Sequence, residues 1–216
     1  MSEQRVDAVI VGAGFAGMYA LHRLVKENYH PIVFETGDNV GGTWYWNRYP
    51  GARCDIQSME YSYTFDEDLQ QDWNWSEKYA PQPEILRYAN YVADRFELRQ
   101  HINFNTRVLT ARYDEIHQEW LVRTDQNKTY RTKFCIMATG CLSSTNLPKF
   151  KGVDSFEGES FHTGQWPHSP VDFNSKRIGI IGTGSSAIQS IPIIAQSCEH
   201  LTVFQRTANY SIPAHN

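Results

Sequence analysis

The sequence predicts an α/β protein made of two similar strand–turn–helix–strand units, the second of them incomplete. Three observations predict it. A β-branched apolar run, Val6–Val11, leads into the turn Gly12-x-Gly14-x-x-Gly17 and then an amphipathic segment. The same order returns in "KRIGIIGTGSSAIQSIPIIAQSCEHLTVFQR". Between the two lie short runs with the period and turn residues of strands. With 216 residues, 41% of them hydrophobic and 13% aromatic, the chain has material for a packed core, which argues against disorder.

Each element follows from its local pattern. Val6–Val11 reads as a buried strand, and Met18–Lys26 as a helix carrying Met18, Leu21, Leu24 and Val25 on one face. Pro31–Phe34 is the next strand and ends at Glu35. Asn39–Phe65 is rich in glycine and aromatics and too long for a simple connection, so it reads as a functional loop. Pro83–Leu98 is a helix, with Ile85, Ala89, Val92 and Phe96 at helical spacing. Three strands follow, Ile102–Leu109, Glu119–Thr124 and Tyr130–Ala138, the last placing Cys135 in a buried position. Ser143–Ser175 is turn-rich and reads as a connector, after which the second unit begins.

Composition excludes several function classes. A net charge of −4 with scattered basic residues offers no footprint for nucleic acid and no polybasic membrane patch. No run approaches the ~18 apolar residues of a spanning helix, and glycines interrupt the first apolar run too early for a signal peptide. Cys54, Cys135, Cys141 and Cys198 lack metal-ligand spacing, so no metal site is expected. A soluble, reduced, cytoplasmic setting is the expectation.

The glycine turns carry the chemistry. Gly12 permits a tight turn, Gly14 lets a pyrophosphate approach the backbone, and Gly17 allows close helix–strand packing. The helix N-terminus at Phe15 supplies N–H groups for phosphates. Glu35 stands 21 residues past Gly14, where a carboxylate accepts from two ribose hydroxyls. The second turn, Gly182-Thr183-Gly184-Ser185-Ser186-Ala187, is a G-x-G-x-x-A variant whose second strand ends in Gln205-Arg206-Thr207 without an acid. Arg206 suits a 2′-phosphate and favours NADPH over NADH. An acid-terminated site followed by an arginine-bearing one assigns FAD to the first unit and NADPH to the second. Both units are Rossmann-like. "IMATG", ending in Thr139 and Gly140, lets the backbone pass close to the flavin nucleotide.

Among flavin enzymes that use two nucleotides, a disulfide reductase needs a cysteine pair a few residues apart, and Cys54 has no such partner. The stretch "FEGESFHTGQWPH" decides among the rest. Its Phe156, Gly158, His162, Trp166 and Pro167 form F-x-G-x-x-x-H-x-x-x-W-P, which resembles the fingerprint of Baeyer–Villiger monooxygenases. "GGTWYWNRYPGARCDIQSMEYSYTF", "QPEILRYANYVADRF", "HTGQWPHSPVDF", "IGTGSS" and "VFQRT" extend the resemblance across essentially the whole chain. In N- and S-oxygenating relatives, the alternative reading, the terminal aromatic–proline pair usually differs.

The resemblance implies an enzyme that converts ketones to esters or lactones with NADPH and O₂, through a C4a-peroxyflavin. It implies a FAD-binding domain over 1–142, a connector over 143–175 and the start of a NADP-binding domain over 176–216. Gly42, Thr43, Trp44, Trp46, Asp55, Tyr61 and the backbone at Val108 resemble residues lining FAD. Arg53, Cys54 and Asp55 resemble a loop that meets NADP. Gly182, Thr183, Gly184, Ser185, Ser186 and Gln189 resemble its glycine-loop contacts, and Arg206 with Thr207 the 2′-phosphate binders. Each aromatic alone would read as core. Asp55 matches the aspartate that orients a catalytic arginine, and that arginine falls beyond position 216 in this family.

Family members are more than twice this long, so the chain is expected to be their N-terminal part. A separate segment supplying the remainder, or a nucleotide-binding module inactive by itself, are the alternatives. The partial sheet is expected to expose an edge and apolar side chains. The fingerprint joins the two nucleotide units, where domain orientation changes during turnover, and reads as a coupling linker rather than a catalytic site.

Overall fold

A computed structural model describes residues 3–214 and 216. In chain order its strands and α-helices are β1 (Glu3–Val11), α1 (Phe15–Lys26), β2 (Pro31–Phe34), α2 (Thr43–Trp46), α3 (Glu67–Asp72), α4 (Gln82–Arg95), β3 (Ile102–Asn103), β4 (Val108–Asp114), β5 (Glu119–Thr124), β6 (Thr129–Met137), β7 (Arg177–Ile181), α5 (Ser185–Ile194) and β8 (His200–Phe204). They fall into two compact units. One comprises the chain up to Tyr45 with Leu86–Ser143, the other Trp46–Ile85 with Ser144–Asn216.

The first unit is built on a six-stranded sheet in the order β3-β2-β1-β6-β5-β4. β3, β2, β1 and β6 run parallel, while β6, β5 and β4 pair antiparallel. β1 is central, so Ala8, Val9 and Ile10 are wholly buried, as an unalternated apolar run requires. Ile10 joins Met18 and Leu21 of α1 and Ala89 and Ala93 of α4 in the main core. Val9, one residue earlier and therefore on the opposite face, packs with Phe34, Val122 and Tyr130.

Two expected elements are shorter than their patterns. The run Ile102–Leu109 is broken, because Asn105 adopts a left-handed φ of +51° and turns the chain between β3 and β4. That turn is held by the first unit's own backbone: Asn105 N–H donates to Gly37 and Thr106 N–H to Glu35. α4 stops at Arg95 rather than Leu98, since Glu97 has φ +53° and a 3-10 turn, Leu98–His101, follows. Cys135 is half-buried rather than buried, because its neighbours Phe134 and Met137 on β6 are 54% and 60% exposed.

In the second unit β7 and β8 pair in parallel, with Gly179 opposite Thr202, and α5 connects them. The aromatic-rich segment forms its own substructure. Arg53 and Pro81 make an antiparallel bridge, flanked by Cys54 N–H to Ala80 and Gln82 N–H to Ala52. Buried Ser58 reinforces it by donating to Glu77 and accepting from Ala80 N–H at 2.8 Å.

Candidate functional site

The first glycine turn is shaped by absent side chains. Gly12 has φ +103°, and its N–H donates to Phe34 at the end of β2. A Cβ on Gly17 would lie 1.9 Å from the Gly12 carbonyl oxygen, so only glycine lets α1 start this close to β1. Gly14 caps α1 without any side-chain hydrogen bond, and the first turn of α1 has no acid. The positive end of the helix dipole is therefore uncompensated, which fits a pyrophosphate.

Glu35 is 5% exposed, and its two oxygens accept from Ala13 N–H at 2.7 Å and Gly37 N–H at 2.8 Å. Thr36 adds a long third bond at 3.4 Å, and since a carboxylate has about four acceptor sites, capacity remains for a ribose hydroxyl. The loop after β2 is fixed from two sides. Tyr45 donates to Asp38 at 2.7 Å, and Arg99 reaches Asn39, Asn90 and Asp94. Gly42 and exposed Thr43 thus stand in the same unit as the glycine turn, together with buried Trp44, Val108 at the start of β4, and Thr139 and Gly140 after β6. These residues and this turn fit an FAD. Trp46, Asp55 and Tyr61 lie in the second unit.

There the second turn repeats the first geometry. Gly182 has φ +102°, its N–H donates to Phe204 at the end of β8, and Gly184 caps α5 without a side-chain bond or a first-turn acid. Thr183 ties the turn to the strand end, accepting from Gln205 at its hydroxyl and from Asn209 at its carbonyl. Ser185 opens α5, and Arg206 and Thr207 follow β8 as exposed residues. An anion-ready helix end, with an exposed arginine just after β8 in the same unit, fits a dinucleotide bearing a 2′-phosphate.

The loop Tyr49–Asp55 belongs to this unit and is held by α5. Gln189 binds it through four hydrogen bonds, to Tyr49, to both backbone groups of Arg53 and to Asp55. Burial pushes the Tyr49 phenol above its ordinary pKa, with Ser186 opposing. The Arg53 guanidinium pairs with Glu77 at 3.1 Å. Asp55 is exposed, and no cation pairs with its carboxylate among the described residues. Burial also pushes the Cys54 thiol up, against hydrogen bonds from Ser58 and the backbone, which disfavours the nucleophilic thiolate. Tyr49 and Glu77 were not among the expected site residues. The Tyr49–Gln189 partnership spans 140 positions and leaves no local signal.

The fingerprint residues also lie in the second unit. Phe156 is 65% exposed and its ring folds over Gly158, where a Cβ would meet it at 2.6 Å. His162 caps a 3-10 turn, Thr163–Gln165, by accepting Gly164 N–H at Nδ1. Trp166 packs between Phe161 and Phe173, with Pro167 half-buried beside it. Among the described residues no three acids, histidines or cysteines group as metal ligands, and no helix is long and apolar enough to cross a membrane.

Known proteins share this arrangement. The family model for flavin-binding monooxygenase-like proteins matches residues 4–213. A Baeyer–Villiger monooxygenase of Pseudooceanicola batsensis is 48% identical over 97% of this chain and 38% of its own length. The phenazine N-monooxygenase PhzNO1 of Lysobacter antibioticus is 42% identical over 96% of this chain and 38% of its own. An oxidized steroid monooxygenase bound to NADP superposes with a TM-score of 0.94 at 56% identity, over 99% of this chain and 41% of that one. The chain thus spans about two-fifths of the length of the curated relatives it matches.

Proposed function

Because the chain belongs to the flavin-binding monooxygenase-like family, we propose that it carries the FAD site and the start of the NADPH site of a Baeyer–Villiger monooxygenase. Such an enzyme uses NADPH and O₂ to place an oxygen atom beside a ketone carbonyl, giving an ester or lactone. The observation that carries the reading is the pairing of two glycine turns of like geometry with opposite chemistry at their strand ends, Glu35 and Arg206.

Residues 1–142 serve as the FAD domain, 143–175 as the connector and 176–216 as the start of the NADP domain. When bound, FAD would supply the redox chemistry that links NADPH and O₂ to oxygenation of the substrate. The protein's part is binding and orientation. The N–H groups at Phe15 and Gly14 face the FAD pyrophosphate, and Glu35 takes the ribose. Gly42, Thr43, Trp44, Val108, Thr139 and Gly140 of the same unit line the rest. At the second site Gly182, Thr183, Gly184, Ser185 and Ser186 receive the pyrophosphate, Arg206 and Thr207 the 2′-phosphate, and Arg53, Cys54 and Asp55 form the loop that meets NADP. Asp55 orients an arginine supplied from outside these residues. Its exposed carboxylate, lacking a cation partner among the described residues, supports that role. Four free thiols fit a reducing, cytoplasmic setting.

Titration with FAD, then NADPH and NADH, tests the reading. Arg206→Ala should weaken NADPH binding roughly 10- to 150-fold, the value of one charge-assisted contact, and leave NADH nearly unchanged. Equal losses for both refute the assignment. The N-oxygenating relative favours a second reading, oxidation at a heteroatom. Supplying the arginine-bearing remainder with NADPH and O₂ separates the two. A cyclic ketone should yield its lactone, whereas N-oxide from phenazine with no lactone supports the second.

A further inference from the structure

Gln189 stands on α5, one turn beyond its Gly184 cap. Its Oε1 accepts from the Tyr49 hydroxyl at 2.9 Å and from Arg53 N–H at 3.2 Å. Its Nε2 donates to the Arg53 carbonyl at 3.1 Å and to Asp55 Oδ1 at 2.8 Å. A primary amide has two acceptor sites and two donors, so these four bonds fill it. No donor or acceptor is left on that side chain for a nucleotide phosphate, although its place on the glycine-turn helix suggests one.

The amide grips Arg53 as a neighbouring strand would, through both backbone groups. The backbones also meet closely here: Gly51 has φ +76°, and a Cβ on it would lie 2.2 Å from the Gln189 carbonyl oxygen. The grip needs this residue type. Glutamate has the length but no donors, and would set a carboxylate against the Asp55 carboxylate and a carbonyl. Asparagine has the donors but is one methylene short.

We infer that Gln189 is a positioning residue for Asp55: it clasps the Arg53–Asp55 loop to the helix that forms the second dinucleotide site, so that the carboxylate and the bound nucleotide are held in one register. The inference rests on the reading of that site and of Asp55 given above. The side chain acts on the nucleotide through the loop and does not touch it. Because the loop is exposed at Asp55 and bridged to Pro81 at Arg53, losing the clasp frees the carboxylate end first.

Two measurements on the chain test this. Without cofactor, hydrogen exchange at the Arg53 amide should be about 10-fold faster in Gln189→Ala, which removes its acceptor, with the amides of Ile193 and Ile194 unchanged as evidence that α5 is intact. Unchanged exchange at Arg53 overturns the clasp. With NADP⁺, Gln189→Ala and Asp55→Ala should each weaken binding by about 10-fold, and the double variant by no more than either. Additive losses overturn action through Asp55. If Asp55→Ala leaves NADP⁺ affinity intact, the reading of Asp55 fails, and the exchange result still decides the clasp.

Discussion

At the scale of single residues, the two glycine turns share backbone angles but not surroundings. Gly12 and Gly182 have φ of +103° and +102°, yet a Cβ on Gly12 would meet the Ala138 carbonyl oxygen at 2.6 Å, while one on Gly182 would meet nothing within 4 Å. The difference is a strand: β6 closes over the first turn, and among the described residues β7 pairs only with β8. Gly17 is the most constrained position, because the atom its Cβ would strike belongs to backbone and cannot rotate away. Gly17→Ala should therefore cost about 2 kcal/mol or more and lower FAD retention, read as a drop in melting temperature and in flavin absorbance after gel filtration. An unchanged melting temperature would mean that α1 can shift outward without loss. The spacing of Gly12, Gly14 and Gly17 and the acid at Glu35 were legible in the sequence, because turn, cap and strand end lie within one local unit. The structural task of Glu35, accepting Ala13 and Gly37 N–H, was not.

At the scale of elements, one ion cluster ties the central strand to the antiparallel extension of the sheet. Arg131 on β6 bonds Glu3 on β1 at 2.7 Å and Asp114 on β4 at 3.3 Å, and Arg5 bonds Glu119 on β5 at 3.2 Å. The His117 imidazole and backbone N–H, with Arg131 behind them, pull the Asp114 carboxyl down to about 2. A carboxyl lowered on folding stabilises above its unfolded pKa near 4, and that contribution is lost as pH falls through the folded value near 2. Acid should thus loosen β4 and β5 between about pH 4 and 2, and Asp114→Asn should remove that part of the acid sensitivity. Far-UV circular dichroism across an acid titration checks it; identical acid profiles would mean the cluster carries no pH dependence. Of these strands Glu119–Thr124 has the expected bounds, whereas the expected Ile102–Leu109 missed both the run of β4 on to Asp114 and the break at Asn105, because Ile102, Phe104, Thr106 and Val108 keep the period of two across it. What turns the chain there is the pull of the Gly37 and Glu35 carbonyls, 68 and 71 positions before Asn105 and Thr106 respectively.

At the scale of the whole molecule, each unit keeps apolar strand side chains in the open, Phe134 and Met137 in one, Ile181 and Phe204 in the other. The chain spans about two-fifths of the length of the curated relatives it matches. The fingerprint forms a local aromatic and capped-turn cluster within the second unit rather than a set of aligned acid–base groups. His162→Ala should accordingly leave FAD binding intact while slowing NADPH-driven flavin reduction several-fold in the completed enzyme, measured by stopped-flow absorbance. Loss of FAD from this variant would assign His162 a purely structural role.

Fold class, the two nucleotide turns and the family resemblance were readable from the chain, since each depends on residues a few to about twenty positions apart. Strand period, a glycine's missing Cβ and a charge at a strand end act locally, and local physics leaves a local trace. The clasp of Gln189 on Asp55, the four-strand cluster around Arg131 and the half-exposure of Cys135 were decided by the tertiary structure alone. Each depends on which distant segments meet. A glutamine on a helix looks the same in sequence whether its amide faces water, a phosphate or a loop that begins 140 residues earlier.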